Sequence, residues 1–371
     1  MGVREKFKVC IVAGARPNFM KIAPIMRALN DASDVFDRCL VHTGQHYDQE
    51  MSEVFFKQLG IPTPDCYLNA GGGTHAEQTA KVMVAFERAI DQIKPDLVLV
   101  VGDVNSTLAC ALVAKKSGIR VAHVEAGLRS GDWGMPEEVN RIATDAISDL
   151  YFVTEASGRE NLLAEGKSDA AIHFVGHVMI DNLFFELAQL RAGASVSREI
   201  EAIKETYKYY AVVTLHRPAN VDHPEVLRQV LSGLSRAALR LPMIFPVHPR
   251  TAKRIESLGL ILPKSIHLLP PLAYRDLLFL TKDAVAVLTD SGGLQEESTA
   301  LGVPCLTIRD NTERPVTVVE GSNTLVGSDP ERIDREVAAI LKNGGKRGQQ
   351  PALWDGRAAE RIVTVLRHQF I

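Results

Sequence analysis

The stretch DLVLVVGDVNSTLACALVAKKSGIRVAHVEAG (96–127) decides the fold. Its first eight residues are an apolar, β-branched run that ends in Gly and Asp. That length and composition read as a buried strand. A helical pattern occupies about 105–117, and a second β-branched run, 120–127, follows at once. Strand, helix and strand at this spacing predict parallel strands in an α/β sheet.

The same alternation extends outward in both directions. Strands are predicted at 8–14, 37–44 and 149–155, with helices near 18–30, 48–59, 74–93 and 137–148. Residues 170–184 read as a crossing segment. The pattern then restarts, with strands at 209–217, 242–249, 265–272, 284–293 and 303–310. The expectation is therefore two Rossmann-like parallel-sheet α/β domains with a cleft between them, over 1–176 and 177–355. A closing helix at 356–371 fits either half. Polar residues collect after the strand C-termini, where such sheets bind ligands.

With 371 residues the chain is long enough for two cores. A net charge of -3 gives no reason to expect nucleic acid or a membrane surface as a partner. No apolar run approaches the roughly 20 residues that span a bilayer. The N-terminus lacks the shape of a signal peptide. Five cysteines, odd in number and scattered in sequence, predict a reduced cytoplasmic setting.

Several loops carry chemistry. In LTDSGGLQEE (288–297) a strand ends, Ser291, Gly292 and Gly293 follow, and a helix begins. Backbone N–H groups at that helix end suit an anion. Glu296, one turn in, would repel phosphate but suits the two hydroxyls of a ribose. Together they read as a nucleotide site, against the alternative of a tight turn with acidic first-turn residues. VAGARPNFMK (12–21) offers Arg16 and Lys21 to a diphosphate, or to solvent. It is neither G-x-G-x-x-G nor a P-loop, so a dinucleotide or ATP has weak support.

HVEAGLRSGDWGMPEEVNR (123–141) is dense in carboxylates and arginines, with no zinc spacing and no nucleophile elbow. His123 falls within the strand and reads as core. Glu125 ends the strand. Pro136 fits a first helical turn, and Glu137 with Arg141 fits a surface pair. That pair leaves Glu125, Arg129 and Asp132 unexplained, so at least one acid here is expected to do chemistry. Asp103 ends the strand before, as a helix N-cap or a catalytic carboxylate; taken alone, the cap is the simpler reading. TLHRPANVD (214–222) and PVHPR (246–250) each set a His beside an Arg just past a strand, and DNTERPVT (310–317) adds Arg314. Such a wall suits an anion and favours neutral histidine. Thr74 and Glu77 in GGGTHAEQ read as a capping box.

Taken in order, GARPNFMKIAPI, HTGQHYD, GDVNSTLA, HVEAGLRSGD, MPEEVNR, TLHRP, PVHPR, TDSGGLQEE and RDNTERP resemble the UDP-N-acetylglucosamine 2-epimerase family, non-hydrolysing branch, over almost the whole chain. The resemblance implies a glycosyltransferase-B type fold, with UDP held mainly by the second domain and the last helix returning to the first. It implies elimination of UDP to an enzyme-bound 2-acetamidoglucal and re-addition on the other face, chemistry that calls for no NAD and no metal. It makes Asp103, Glu125, Glu137 and His216 the catalytic set. Arg16, Ser291, Gly292 and Glu296 become UDP contacts, with Lys21, Gly293 and Arg314 beside them. Gln45, His46, Arg217 and His248 match a second site at which some bacterial members bind UDP-GlcNAc as an activator. Where those members carry an arginine, this chain has Lys81. A homodimer and a role in cell-surface polysaccharide synthesis are implied by the resemblance alone. The competing readings are a hydrolysing epimerase, an epimerase of a diacetamido uronate, a glycosyltransferase of the same fold, and a non-catalytic sugar-nucleotide sensor.

Overall fold

A computed structural model describes residues 6–44, 56 and 60–371. Contacts divide the chain into two compact units, Met1–Asn182 with Ala352–Ile371, and Leu183–Pro351. The expected helix over 48–59 falls almost wholly outside the described residues.

The first unit holds seven strands: β1 (Phe7–Ala13), β2 (Phe36–His42), β3 (Cys66–Tyr67), β4 (Leu97–Val101), β5 (Arg120–Val124), β6 (Leu150–Val153) and β7 (Ile172–Phe174). All pairings are parallel, in the order β3-β2-β1-β4-β5-β6-β7. Successive side chains of β1 face opposite ways. Cys10 and Val12 join the core under helices His75–Ile93 and Asn105–Lys116. The other face carries helix Arg16–Asp31, against which the closing helix Ala358–Phe370 packs.

The second unit holds six: β8 (Ala211–Thr214), β9 (Met243–Pro246), β10 (Ile266–Leu269), β11 (Ala286–Thr289), β12 (Cys305–Thr307) and β13 (Asn323–Leu325). They too are all parallel, in the order β10-β9-β8-β11-β12-β13. Alternation is again visible. Val213, Phe245 and Leu288 enter one core, and Val212, Ile244 and Val287 the other.

Two expectations are corrected here. The segment over 170–184 is no simple crossing. Ile172–Phe174 is the edge strand of the first sheet, and helix Val178–Arg191 follows it. The strand is too short for its alternation to register in the sequence. The cysteines are scattered only in sequence: Cys10, Cys39, Cys66 and Cys110 gather on one face of the first sheet.

The closing helix is held by specific contacts. The Asp181 carboxylate accepts from the Ala358 and Ala359 N–H groups at 3.0 and 2.7 Å, satisfying two otherwise unpaired donors at the helix start. Burial pushes the Asp181 carboxyl up to about 6 against those two bonds. Trp354, buried just upstream, donates its indole N–H to the Thr154 carbonyl at 3.0 Å. Among the described residues no helix is long and apolar enough to cross a membrane.

Candidate active site

In each sheet the strand order reverses once, between β1 and β4 and between β8 and β11. Open α/β sheets bind ligands beyond the strand ends at such a reversal. Most of the sequence-predicted site residues follow these four strands, and Glu125 follows their neighbour β5.

At the first reversal, Asn18 ties the two loops together. Its Oδ1 accepts from the Gly14 and Ala15 N–H groups at 3.2 and 2.9 Å, and its Nδ2 donates to the Val101 carbonyl at 3.0 Å. One turn along the same helix, Lys21 Nζ lies 2.5 Å from Glu125 Oε2, a contact with little exposure on either side. Gly102 makes the approach possible. Its φ is +69°, and a Cβ there would stand 3.2 Å from Lys21 Nζ and 3.6 Å from Glu125 Oε2. Glu125 itself has a φ of +68°, the left-handed region that costs a non-glycine residue about 1–3 kcal/mol. Such strain persists where the surroundings hold it. Here the Glu125 N–H donates to the Phe152 carbonyl at 3.0 Å, and His177 Nε2 stands 3.9 Å from the other carboxylate oxygen.

Asp103 is not a helix cap. Val104 occupies that position, and the Asp103 carboxylate instead takes a 2.5 Å bond from Arg141. Arg141 also pairs with Glu138, so the expected Glu137–Arg141 surface pair does not form. The reason is helix phase. Glu138, Arg141, Thr144 and Asp145 share the buried face of helix Pro136–Ile147, while Val139 is exposed. The inward stripe of this helix is polar. Glu138 accepts from the Ser130 and Gly131 N–H groups, each at 3.0 Å, and so anchors the preceding loop. Glu137 is exposed in the first turn of the same helix.

His123 is buried, as expected, with Gly102 O at 2.8 Å and Asp145 at 2.7 Å from its ring nitrogens. Asp145 also accepts from Arg129 at 2.7 Å. Burial pushes the Asp145 carboxyl up, but His123 and Arg129 outweigh it and hold it below the usual range. Arg129 and Asp132 therefore have structural partners: Arg129 bridges Asp145 and Glu165, and Asp132 accepts from the Gly134 N–H at 2.9 Å.

At the second reversal, Asp290 is fully buried and orients the loop that carries His216. It accepts from the His216 and Arg217 N–H groups at 3.0 and 2.9 Å, from Asn220 at 3.2 Å, and meets His216 Nδ1 at 2.9 Å. Burial raises the Asp290 carboxyl; these partners more than reverse that and lower it. With Nδ1 engaged, the part-exposed ring is left to present Nε2 to a ligand. The His248 ring centroid is 6.3 Å away. Burial, with His216 and Arg250 nearby, lowers the His248 pKa, in line with the neutral role expected of this wall.

Ser291 is the N-cap of helix Gly292–Leu301, and a Cβ on Gly292 would meet nothing within 4 Å. The helix start is therefore open to an anion. Glu296 is buried one turn in and pairs with Arg314. The next residue, Glu297, is buried too, and desolvation pushes its carboxyl up to about 8. Arg217 lies 3.3 Å from Glu313, whose carboxyl burial would raise but which Arg309, Arg217 and Arg314 bring down to about 2.

Residues 27–367 match the family model described as UDP-N-acetylglucosamine 2-epimerase. The chain belongs to the UDP-N-acetylglucosamine 2-epimerase family. It is 41% identical over 367 residues to the UDP-N-acetylglucosamine 2-epimerase of Methanocaldococcus jannaschii, covering 97% of this chain and 99% of that one. It is also 40% identical over 364 residues to the UDP-2,3-diacetamido-2,3-dideoxy-D-glucuronate 2-epimerase of Pseudomonas aeruginosa, covering 97% and 99%. The crystal structure of the M. jannaschii enzyme in complex with UDP-GlcNAc and UDP superimposes with a TM-score of 0.87 at 41% identity, covering 98% of this chain and all of that one.

Within this 2-epimerase-family fold, the structure pairs Lys21 with Glu125 and Asp103 with Arg141, beyond the ends of the neighbouring strands β1, β4 and β5. It sets His216, Ser291, Gly292, Gly293, Glu296 and Arg314 around the second reversal. Arg16 opens its helix, with its side chain outside the described residues, and Gln45 and His46 lie outside them altogether. Sequence reasoning missed Glu138, Arg141 and Asp290 as the groups that position this set. For the first two, the spacing of polar residues at 138, 141 and 144–145 was the available signal. Asp290 was hidden inside a motif read for its glycines.

Proposed function

We propose that this chain is a non-hydrolysing UDP-sugar 2-epimerase that interconverts UDP-GlcNAc and UDP-ManNAc. A base takes the proton from C2 while the C1–O bond to the diphosphate breaks. The C–H electron pair becomes the C1=C2 bond, and UDP departs with the electrons of the bond to oxygen. On return a UDP oxygen adds to C1, and an acid delivers a proton to the opposite face of C2. Asp103, Glu125 and Glu137 supply the base and acid, and His216 and the basic residues stabilise departing charge. Ser291, Gly292 and Gly293 take phosphate on backbone N–H groups, and Glu296 takes the ribose.

The observation that carries this reading is the placement of carboxylates at the strand reversal of one unit, and of anion-suited groups at that of the other. The relative crystallised with UDP-GlcNAc and UDP supports the same substrate class. The reading extends to a homodimer acting in the cytoplasm and feeding an activated sugar to cell-surface polysaccharides. It also takes Gln45, His46, Arg217 and His248 as a second UDP-GlcNAc site.

Proton NMR of the protein with UDP-GlcNAc in D2O tests the proposal. UDP-ManNAc with deuterium at C2 is expected. Free N-acetylmannosamine would overturn the non-hydrolysing step. An inert UDP-GlcNAc beside a reacting diacetamido uronate would overturn the substrate. Light scattering reads the oligomer, and upward curvature of rate against UDP-GlcNAc reads the second site.

A further inference from the structure

Four of the five cysteines form a row outside the candidate active site. Cys10 on β1 is the direct register partner of Cys39 on β2. Cys66, on β3, is opposite Val41 rather than Cys39. Cys110 comes from helix Asn105–Lys116 into the same core. Cys10 and Cys110 are buried, whereas Cys39 and Cys66 are partly exposed. Among the described residues no group of His, Cys, Asp or Glu is arranged to hold a metal ion, so the row is a thiol cluster.

Geometry selects one pair among the three strand cysteines. Neighbouring strands run about 4.7–4.9 Å apart, and a disulfide needs its two Cα atoms about 4.4–6.8 Å apart. Directly opposed residues such as Cys10 and Cys39 meet that requirement. Cys39 and Cys66 are offset by two residues, a diagonal of about 8 Å, which is out of reach. Chemistry orders the same pair. The neighbouring Cys10 thiol is the strongest influence lowering the Cys39 pKa; Lys8 adds to this, while burial, Asp65 and Asp37 oppose it. The neighbouring Cys39 thiol and burial push the Cys10 thiol up. Cys39 is thus the accessible thiolate-forming member and Cys10 the protonated, sheltered one.

We propose that Cys39 is a peroxide-reactive site and that Cys10 resolves it, closing a reversible disulfide between β1 and β2. The Cys39 thiolate attacks a hydroperoxide oxygen; the O–O bond breaks, the leaving oxygen takes a proton to become water or an alcohol, and Cys39 becomes a sulfenic acid. Cys10 then attacks the Cys39 sulfur, its proton joining the departing hydroxide as a second water. The peroxide is reduced by two electrons, and the two thiols are oxidised by two.

The experiment treats the native full-length protein with hydrogen peroxide, traps remaining thiols with N-ethylmaleimide, and maps the peptides. The expected result is a Cys10–Cys39 linked peptide pair and a fall in thiols, counted after denaturation, from five to three. Dithiothreitol restores them. Cys39→Ser loses the link and Cys66→Ser keeps it. The proposal is overturned if Cys39 is left unmodified. It is equally overturned if Cys39 stops at sulfinic acid beside a free Cys10, or bonds to Cys66 or to a second molecule. The wild-type map alone decides, whatever the folding of the variants.

Discussion

Arg141 Nη2 lies 2.5 Å from Asp103 Oδ2, and the guanidinium is almost fully buried while the carboxylate is about a quarter exposed. The cation is fixed from behind by Glu138, and the anion reaches out from the strand end. Arg141 therefore sets where the Asp103 charge sits.

Arg141→Lys keeps the charge but loses the fork that grips two carboxylates at once. One charge-assisted hydrogen bond is worth about 1.5–3 kcal/mol. The expected outcome is a kcat lower by roughly tenfold to a hundredfold with KM little changed. Steady-state rates for the two proteins check it. A fall confined to KM would mean that Arg141 serves binding only.

Gly102→Ala places a methyl group against Lys21 and Glu125 at a left-handed backbone position. The backbone cost alone is about 1 kcal/mol. Epimerisation is expected to fall further than stability does, because the Lys21 ammonium must shift in its contact with Glu125. Paired measurements of Tm and C2 proton exchange test this; unchanged exchange would contradict it.

The adjacent acids Glu137 and Glu138 separate by role. Glu138→Gln weakens a buried carboxylate that serves two backbone N–H groups and Arg141. Losing the charge-assisted bond to Arg141, which keeps Asp103, costs about 1.5–3 kcal/mol, so a marked drop in Tm is expected. Glu137→Gln is exposed and should leave Tm alone while turnover falls about a hundredfold or more, the usual worth of a positioned acid or base. Thermal melts and rates on both variants check the assignment. Equal effects from the two would sink it.

Glu297 gives a pH signature. Its carboxyl stands at about 8 in the fold against an ordinary 4.5. The folded state thus holds an extra proton between those values, and stability falls as pH rises across that window. Glu297→Gln cannot ionise. Its Tm should match wild type near pH 4.5 and exceed it increasingly up to pH 8, by a few kcal/mol of stability. A constant offset at every pH would refute the protonated assignment.

The sequence predicted two parallel-sheet units and their loop chemistry because strands and turns carry local signals. β-branched runs such as 96–103 announce a buried strand, and Pro136 announces a helix start. The hidden part was phase and register. Nothing local says whether Glu137 or Glu138 turns inward, because the two differ by one residue on a helix whose buried stripe is polar. Asp103 reads as a cap until Arg141 arrives from thirty-eight residues away. The alignment of Cys10 with Cys39 is likewise set by strand pairing across the sheet. β3 and β7, two and three residues long, are too short to leave an alternation in sequence.

The closing helix has a consequence for how the chain is made. Its Phe370 stacks on Phe7 with ring centroids 4.7 Å apart, so a helix made after residues 183–351 completes a unit whose strand Phe7–Ala13 was made before them. Residues 183–351 emerge as one uninterrupted block and can finish folding while the earlier unit still lacks Trp354 and the helix behind it. Synthesis order and completion order are reversed. The waiting half is the one that carries Asp103, Glu125 and Glu137, so the unit bearing these carboxylates is complete only once the closing helix arrives.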